Sequence, residues 1–275
     1  MLSIIVAIHN QLPMNRLFWN YLCENTDGDW ELIIIDNSSG DGSREFFESV
    51  GAVVIKNTGN YSYPYCQNKG VAVAKGDLLA FLNNDVIVPK GWNTRLQASM
   101  IHNNLDLLTS CGIERVESKL MTRRLRRRWR WIKGLTIFFL GKTENSLKWM
   151  RRLMYPNWNE FSENRSKHFR YKTLEGFVGN TVMMTRRAVD LIGLWDERIQ
   201  AADFDLYLRS KKRAQLYGDM KPMHVALDVF VHHYIRLTMG DGYPPFVDQN
   251  QLISLEDKWS EQDLQSLKTI NDDLA

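Results

Sequence analysis

Apolar residues along this chain fall into short β-branched runs separated by stretches of helical spacing. Ser3 to Ile8 and Glu31 to Ile35 are nearly unbroken apolar runs, which predicts strands buried on both faces. Ala52 to Ile55 and Leu78 to Leu82 predict two more. Between the first two runs, the stretch around Pro13 to Cys23 places Leu12, Trp19 and Leu22 at helix-like spacing. Gly40-Asp41-Gly42-Ser43 reads as a turn and cap, opening a short helix through Phe46 and Phe47. Tyr65 to Lys75 reads as a helix stopped at Gly76. Strand and helix alternate, so the fold class is α/β, a mostly parallel sheet with helices on both faces.

The last third returns to the same alternation. Gly176 to Thr185 predicts a strand, Arg186 to Ile192 a short helix, and Asp205 to Arg213 a longer one. Val225 to Val231 predicts a strand running into His232-His233. The middle, 115–172, differs. It is crowded with arginine and lysine, has Trp129, Trp131, Trp149 and Trp158 interleaved, and holds few acids. It reads as a basic helical insertion in one 275-residue domain, with 236–275 as a C-terminal extension.

Composition changes little in this picture. The chain is 44% hydrophobic and 24% charged, ordinary for a globular domain. A net charge of +3 does not imply nucleic acid, and no nucleic-acid-reading module is visible in the basic stretch. Cys23, Cys66 and Cys111 show no CxxC spacing, which argues against a disulfide framework or a zinc–thiolate site and for a reducing compartment. The first apolar run is too short for a signal peptide and lacks a basic flank. No run reaches the roughly 18 residues that span a bilayer. The expected location is cytoplasmic. Leu125, Trp129 and Ile132 share one helical face amid arginines, so 120–133 is a candidate for peripheral contact with a membrane surface. The same arginines could instead hold an anionic acceptor or simply be solvated.

Candidate chemistry collects at the predicted strand ends: His9-Asn10, Asp36-Asn37, Asn57 and Asn83-Asn84-Asp85. Open α/β sheets bind ligands at those ends. Asp85 could hold a hard divalent cation, Mg²⁺ or Mn²⁺, against a diphosphate leaving group, or could close a polar turn. Asp36 could accept the imide N–H of uracil or thymine, or cap the following turn. Asp203 and Asp205 at a helix start point in different directions. One could be a general base while the other caps or pairs with Arg209. His232-His233 could supply a metal ligand or be structural. Ala7-Ile8-His9-Asn10-Gln11 lacks the glycines of a dinucleotide-binding loop, and no glycine-rich loop of a nucleotidyltransferase follows the first strand.

In order, these pieces resemble glycosyltransferase family 2, with the GT-A fold, and most closely its rhamnosyltransferase-like branch. The resemblance rests on Ser3-Ile4-Ile5-Val6, Asp36-Asn37-Ser38-Ser39-Gly40-Asp41-Gly42-Ser43, Asn57-Thr58-Gly59-Asn60 and Asn68-Lys69-Gly70. It continues through Lys75-Gly76-Asp77, Leu82-Asn83-Asn84-Asp85, the run from Gly176 to Arg187, Gly193-Leu194-Trp195-Asp196-Glu197, Ala202-Asp203-Phe204-Asp205-Leu206 and His232-His233. It covers about 1–110 and 174–235. The resemblance implies an inverting transferase that moves a sugar from a nucleotide diphosphate sugar, UDP- or dTDP-linked, to a glycan or lipid-linked acceptor. It also implies roles. Asp36 would contact the base, with Ala7 and His9 beside it. Asn60, Asn68, Asn83 and Asn84 would meet the nucleotide sugar. Asp85 would be the main ligand of Mn²⁺ or Mg²⁺, with His232 or His233 as second ligand or diphosphate contact, and Asp203 the catalytic base. Two positions depart from the pattern: Ala202 stands where relatives carry Glu, and Gln67 where many carry Arg. These departures keep a second expectation open, a catalytically decayed sugar- or nucleotide-binding protein whose arginine-rich insertion binds an anionic partner.

Overall fold

The protein is described by a computed structural model, which covers 1–141, 143–237 and 243–267. The extension expected at 236–275 is therefore described in part; 238–242 and 268–275 lie outside the described residues.

The expected alternation is present. It runs β1 (Leu2–Ile8), α1 (Leu12–Asn25), β2 (Trp30–Asp36), α2 (Ser43–Ser49), β3 (Val53–Lys56), α3 (Tyr63–Val73) and β4 (Leu78–Leu82). A two-residue strand β5 (Val86–Ile87), helix α4 (Trp92–Asn103) and strand β6 (Leu107–Cys111) follow. The insertion is three helices, α5 (Lys119–Leu140), α6 (Glu144–Met154) and α7 (Trp158–His168). Then come β7 (Thr173–Glu175), β8 (Thr181–Thr185), α8 (Arg186–Ile192), α9 (Ala202–Tyr217), β9 (His224–Phe230) and β10 (His232–His233). Two short helices, α10 (Leu255–Lys258) and α11 (Glu261–Leu267), end the described chain.

Eight strands form one sheet in the order β3-β2-β1-β4-β8-β6-β9-β7. Six run the same way, and β8 and β7 are antiparallel to their neighbours. Of the strand expected from Gly176 to Thr185, only Thr181–Thr185 is strand, β8; β7 ends just before Gly176. At Gly176, whose φ of 126° suits glycine alone, the chain leaves β7 at the sheet edge and crosses to β8, which runs the same way between β4 and β6.

Strand alternation divides the core. Ile4, Val6 and Ile8 face α1 and α4 through Phe18, Leu22, Trp92 and Leu96. Ile5, Ile33 and Ile35 face α3 and α9 through Cys66, Val71, Leu206 and Tyr207. Two glycines of the quoted motifs are steric necessities. A Cβ on Gly70 would come within 2.3 Å of Ile5, and one on Gly76 within 2.7 Å of the Ser3 backbone nitrogen. Helix α3 and the turn after it therefore lie directly on β1.

The insertion is packed on the domain and shares a core with it. Trp129, Leu147, Met150, Tyr155 and Trp158 join Met14, Leu17, Cys111, Phe230 and Tyr234. This corrects the expected membrane-facing stripe. Trp129 is buried, and Leu125 and Ile132 pack against the same core, because they are the face that anchors α5 to the sheet.

Candidate active site

The carboxyl ends of β1 and β4 open into a cleft of about 370 Å³. Several loops meet there through polar side chains. Asn10 and Gln11 after β1, and Ser38 after β2, hold left-handed backbone conformations that make the turns tight. Asp41 accepts hydrogen bonds from the backbone N–H groups of Leu12 (2.8 Å) and Ser43 (3.0 Å), tying the starts of α1 and α2 together. Asn15 donates to Ser43 Oγ and accepts from Asn84 Nδ2 at 2.7 Å, which adds the loop after β4.

Asp85 and His233 meet by strand pairing. β5 begins one residue after Asp85 and pairs antiparallel with β10, placing His233 opposite Val86. His233 Nε2 lies 3.0 Å from Asp85 Oδ1, and its Nδ1 is hydrogen-bonded to Glu114 Oε1. Burial pushes this imidazole towards neutrality, yet the Asp85 and Glu114 carboxylates outweigh it and bring its pKa up to about 10. His232 points the other way, into an aromatic cage of Trp129, Tyr155 and Tyr234. Burial, and then the charge on His233, push it down to about 3. It does not line the cleft, so of the two candidate histidines only His233 stands beside Asp85.

Asp203 lies at the start of α9 and lines the same cleft. Its Oδ1 is buried with no hydrogen-bond partner. Burial raises its pKa to about 7 against the opposing charge of His233. Gly179 backs it closely: a Cβ there would stand 2.5 Å from Asp203 Oδ2. Asp205, two residues on, is engaged elsewhere. It accepts from Arg209 (2.8 Å), Trp259 Nε1 (2.9 Å) and Lys258 (2.7 Å).

Ala7, His9, Asn83 and Asn84 also line the cleft. His9 is oriented by its Nδ1 on the Asn37 carbonyl at 2.7 Å. Asn83 Nδ2 donates to the Gly179 carbonyl at 3.1 Å. Three expected contacts are not on the wall. Asp36 is fully buried, its Oδ1 accepting from Ser39 N at 3.0 Å; it caps its own turn, and Asn37 takes the wall position. Asn60 is buried, with its amide used by Asn37 and the Pro244 carbonyl. Asn68 ties α3 to the loop before α9, donating to the Trp195 carbonyl and Glu197 and accepting from Trp195 N. Gln67 is buried too, so its departure from the family pattern does not touch the cleft.

Sequence reasoning missed Glu114, Tyr61, Tyr63, Gln200, Arg236, Tyr243 and Phe246. All but Glu114 line the cleft, and Glu114 reaches it through His233. None sits in a recognisable motif; the turn Gly112–Arg115 that carries Glu114 is closed by two backbone hydrogen bonds no pattern announces.

Do these residues suit a divalent cation? Two donor atoms 3.0 Å apart can occupy neighbouring corners of an octahedron with metal–ligand distances of about 2.1 Å. The carboxylate holding the far nitrogen of His233 is the usual second partner of a metal-bound imidazole. No group of three or more His, Cys, Asp or Glu with metal-binding geometry occurs among the described residues. Mg²⁺ and Mn²⁺ need no all-protein cage, since water and substrate phosphate complete their shells. The pair fits such an ion.

The sequence pattern described as "Glycosyl transferase family 2" matches residues 3–192. No curated protein sequence matches. Among solved structures, the chain is similar to a mannosyltransferase, PcManGT from Pyrobaculum calidifontis, in complex with GDP-Man and Mn²⁺. The TM-score is 0.56 at 12% identity, covering 88% of this chain and 58% of that one. It is also similar to S. aureus TarS 1–349 in complex with UDP-GlcNAc, with a TM-score of 0.53 at 13% identity, covering 88% and 61%. The chain thus spans about three fifths of the length of these structures, and the likeness shows a shared GT-A fold.

Proposed function

Because the chain belongs to glycosyltransferase family 2, we propose that it transfers a sugar, with inversion, from a uridine or thymidine diphosphate sugar to a hydroxyl of a glycan or lipid-linked acceptor. The observation that carries this reading is that Asp203 and the Asp85–His233 pair line one cleft at the carboxyl ends of β1 and β4.

Asp203 is the base. Its carboxyl, made more basic by burial, takes the proton from the acceptor hydroxyl as the oxygen bonds to the anomeric carbon. The bond from that carbon to the diphosphate oxygen breaks on the opposite face, so configuration inverts. Asp85 and His233 would hold Mn²⁺ or Mg²⁺, and the ion would supply positive charge at the departing diphosphate. Glu114 keeps the His233 ring in orientation. Arg236, on the same cleft, is a guanidinium suited to phosphate oxygens. Asn83 and Asn84 meet the ribose or the sugar. The pyrimidine lies against Ala7, His9 and Asn37 rather than Asp36.

The test is a panel of UDP-, dTDP- and GDP-sugars with Mn²⁺ or EDTA, following nucleotide binding calorimetrically and nucleotide release by assay. Metal-dependent binding and release with a UDP- or dTDP-sugar, lost in Asp85→Ala, is expected. Turnover with GDP-sugars alone would overturn the pyrimidine assignment. Full activity in EDTA would remove the metal. Binding without release in the presence of a broad acceptor set would favour the decayed binding protein.

A further inference from the structure

The inner face of α5 is buried in the insertion's core, and its outer face is not. At helical spacing, Trp131, Leu135, Phe138 and Phe139 (positions i, i+4, i+7 and i+8) share one side. They are 64%, 55%, 81% and 73% exposed. One and two turns earlier on that side lie the exposed Arg127 and Arg124. Monomeric proteins rarely leave such an apolar cluster in water without a use for it.

Charge identifies what covers it. Helix α5 carries eight lysines and arginines and no acid. Arg126 and Arg128 bond the carbonyls of Glu114 and Leu153, which leaves their charge unneutralised. A second copy packed on this face through its own α5 would set arginine against arginine. A nucleic acid or other soluble polyanion would use the arginines but leave Leu135, Phe138 and Phe139 in water. A bilayer with anionic headgroups satisfies both halves: arginine against phosphate, aromatic and aliphatic side chains in the acyl boundary, and Trp131 at the junction.

We propose that the outer face of α5 seats the protein on an anionic lipid surface, with Trp131, Leu135, Phe138 and Phe139 inserted and Arg124 and Arg127 on the headgroups. The inner face of the same helix lies behind the candidate active site, since Trp129 packs against His232, the chain neighbour of His233, with ring centroids 5.1 Å apart. Binding to lipid stands apart from the transfer reading and is measured without donor or acceptor.

The experiment is co-sedimentation of the full chain with vesicles of phosphatidylcholine, with and without phosphatidylglycerol, at low and high salt. Wild type should bind the mixed vesicles, bind pure phosphatidylcholine weakly, and release with salt. The doubles F138S/F139S and R124Q/R127Q should each weaken binding about tenfold or more. These side chains are exposed, so both variants should keep the wild-type melting temperature. No binding to phosphatidylglycerol vesicles would overturn the proposal. So would undiminished binding by F138S/F139S, particularly if heparin binds both forms alike, because the face would then be a polyanion site.

Discussion

Two pairs of like residues in this chain behave in opposite ways. Asp203 and Asp205 occupy one helical turn, yet Asp205 is neutralised by Arg209 and Lys258 while Asp203 Oδ1 has no partner. A carboxyl pushed up to about 7 is ionised less readily in the folded protein than in the unfolded chain, near 3.9. Folding stability is therefore untouched below about pH 4, falls as pH rises towards 7, and stays reduced above it. Asp203→Asn should raise the melting temperature at pH 8, by an amount equivalent to at most about 4 kcal/mol, and leave it unchanged at pH 4. The same variant should lose transfer by a factor of about 10²–10⁴. A melting temperature unchanged at pH 8, or normal turnover, would count against Asp203 as an uncompensated buried base. His232 and His233 divide in the same manner, one neutral in an aromatic cage and one between two carboxylates, where a bound cation would take the place of the proton on Nε2.

At the level of elements, α5 has two faces with unlike work. Trp129 is buried among His232, Tyr234 and the insertion's core, whereas Trp131, two residues on, is exposed. Trp129→Ala should cost about 3–5 kcal/mol in urea unfolding. Trp131→Ala should stay within about 0.5 kcal/mol. Equal losses would mean that α5 is turned otherwise. This helix also shows where sequence reading stops. Buried strands announce themselves by continuous Ile, Val and Leu, so β1, β2 and β4 were legible nearly to the residue. Helix α5 has apolar residues nearly all round its C-terminal half, and pattern alone does not say which face meets protein. Strand β6, Leu107–Cys111, went unread: it is only five residues long, ends in Thr109-Ser110-Cys111 and is recognised by its pairing with β8 and β9. Site residues followed the same division. Asp85 and Asp203 sit in motifs, while Glu114 reaches His233 across 119 positions. At Asp36 the pattern left two readings open, because a strand-end carboxylate serves a base contact and a turn cap equally well; its Oδ1 accepts from Ser39 N.

In the whole molecule the cleft draws on chain segments from Ala7 to Phe246, so a ligand bound there ties distant parts of the fold together. Mn²⁺ that binds the folded state alone should raise the melting temperature by several degrees when present at about 100 times its dissociation constant, worth roughly 2.7 kcal/mol. Asp85→Ala should abolish that shift. Glu114→Gln should keep it but require about 10- to 100-fold more Mn²⁺, as loss of a second partner of the imidazole predicts. A shift equal in all three proteins would place the ion elsewhere.

The antiparallel strand β8 bears on how such a protein can vary. Leu82 of β4 pairs with Thr181 of β8, about 100 residues later, and the whole insertion lies inside that excursion. The entropy of closing a loop grows only with the logarithm of its length, about 0.6 kcal/mol per doubling. Lengthening, trimming or replacing α5 to α7 thus changes little in the closure that completes the sheet. Strand β1, which carries Ala7, is paired with β2 and β4 before that excursion begins. What fixes the excursion is its inner face, held in the core shared with the sheet, so its outer face can be rewritten while the cleft is kept.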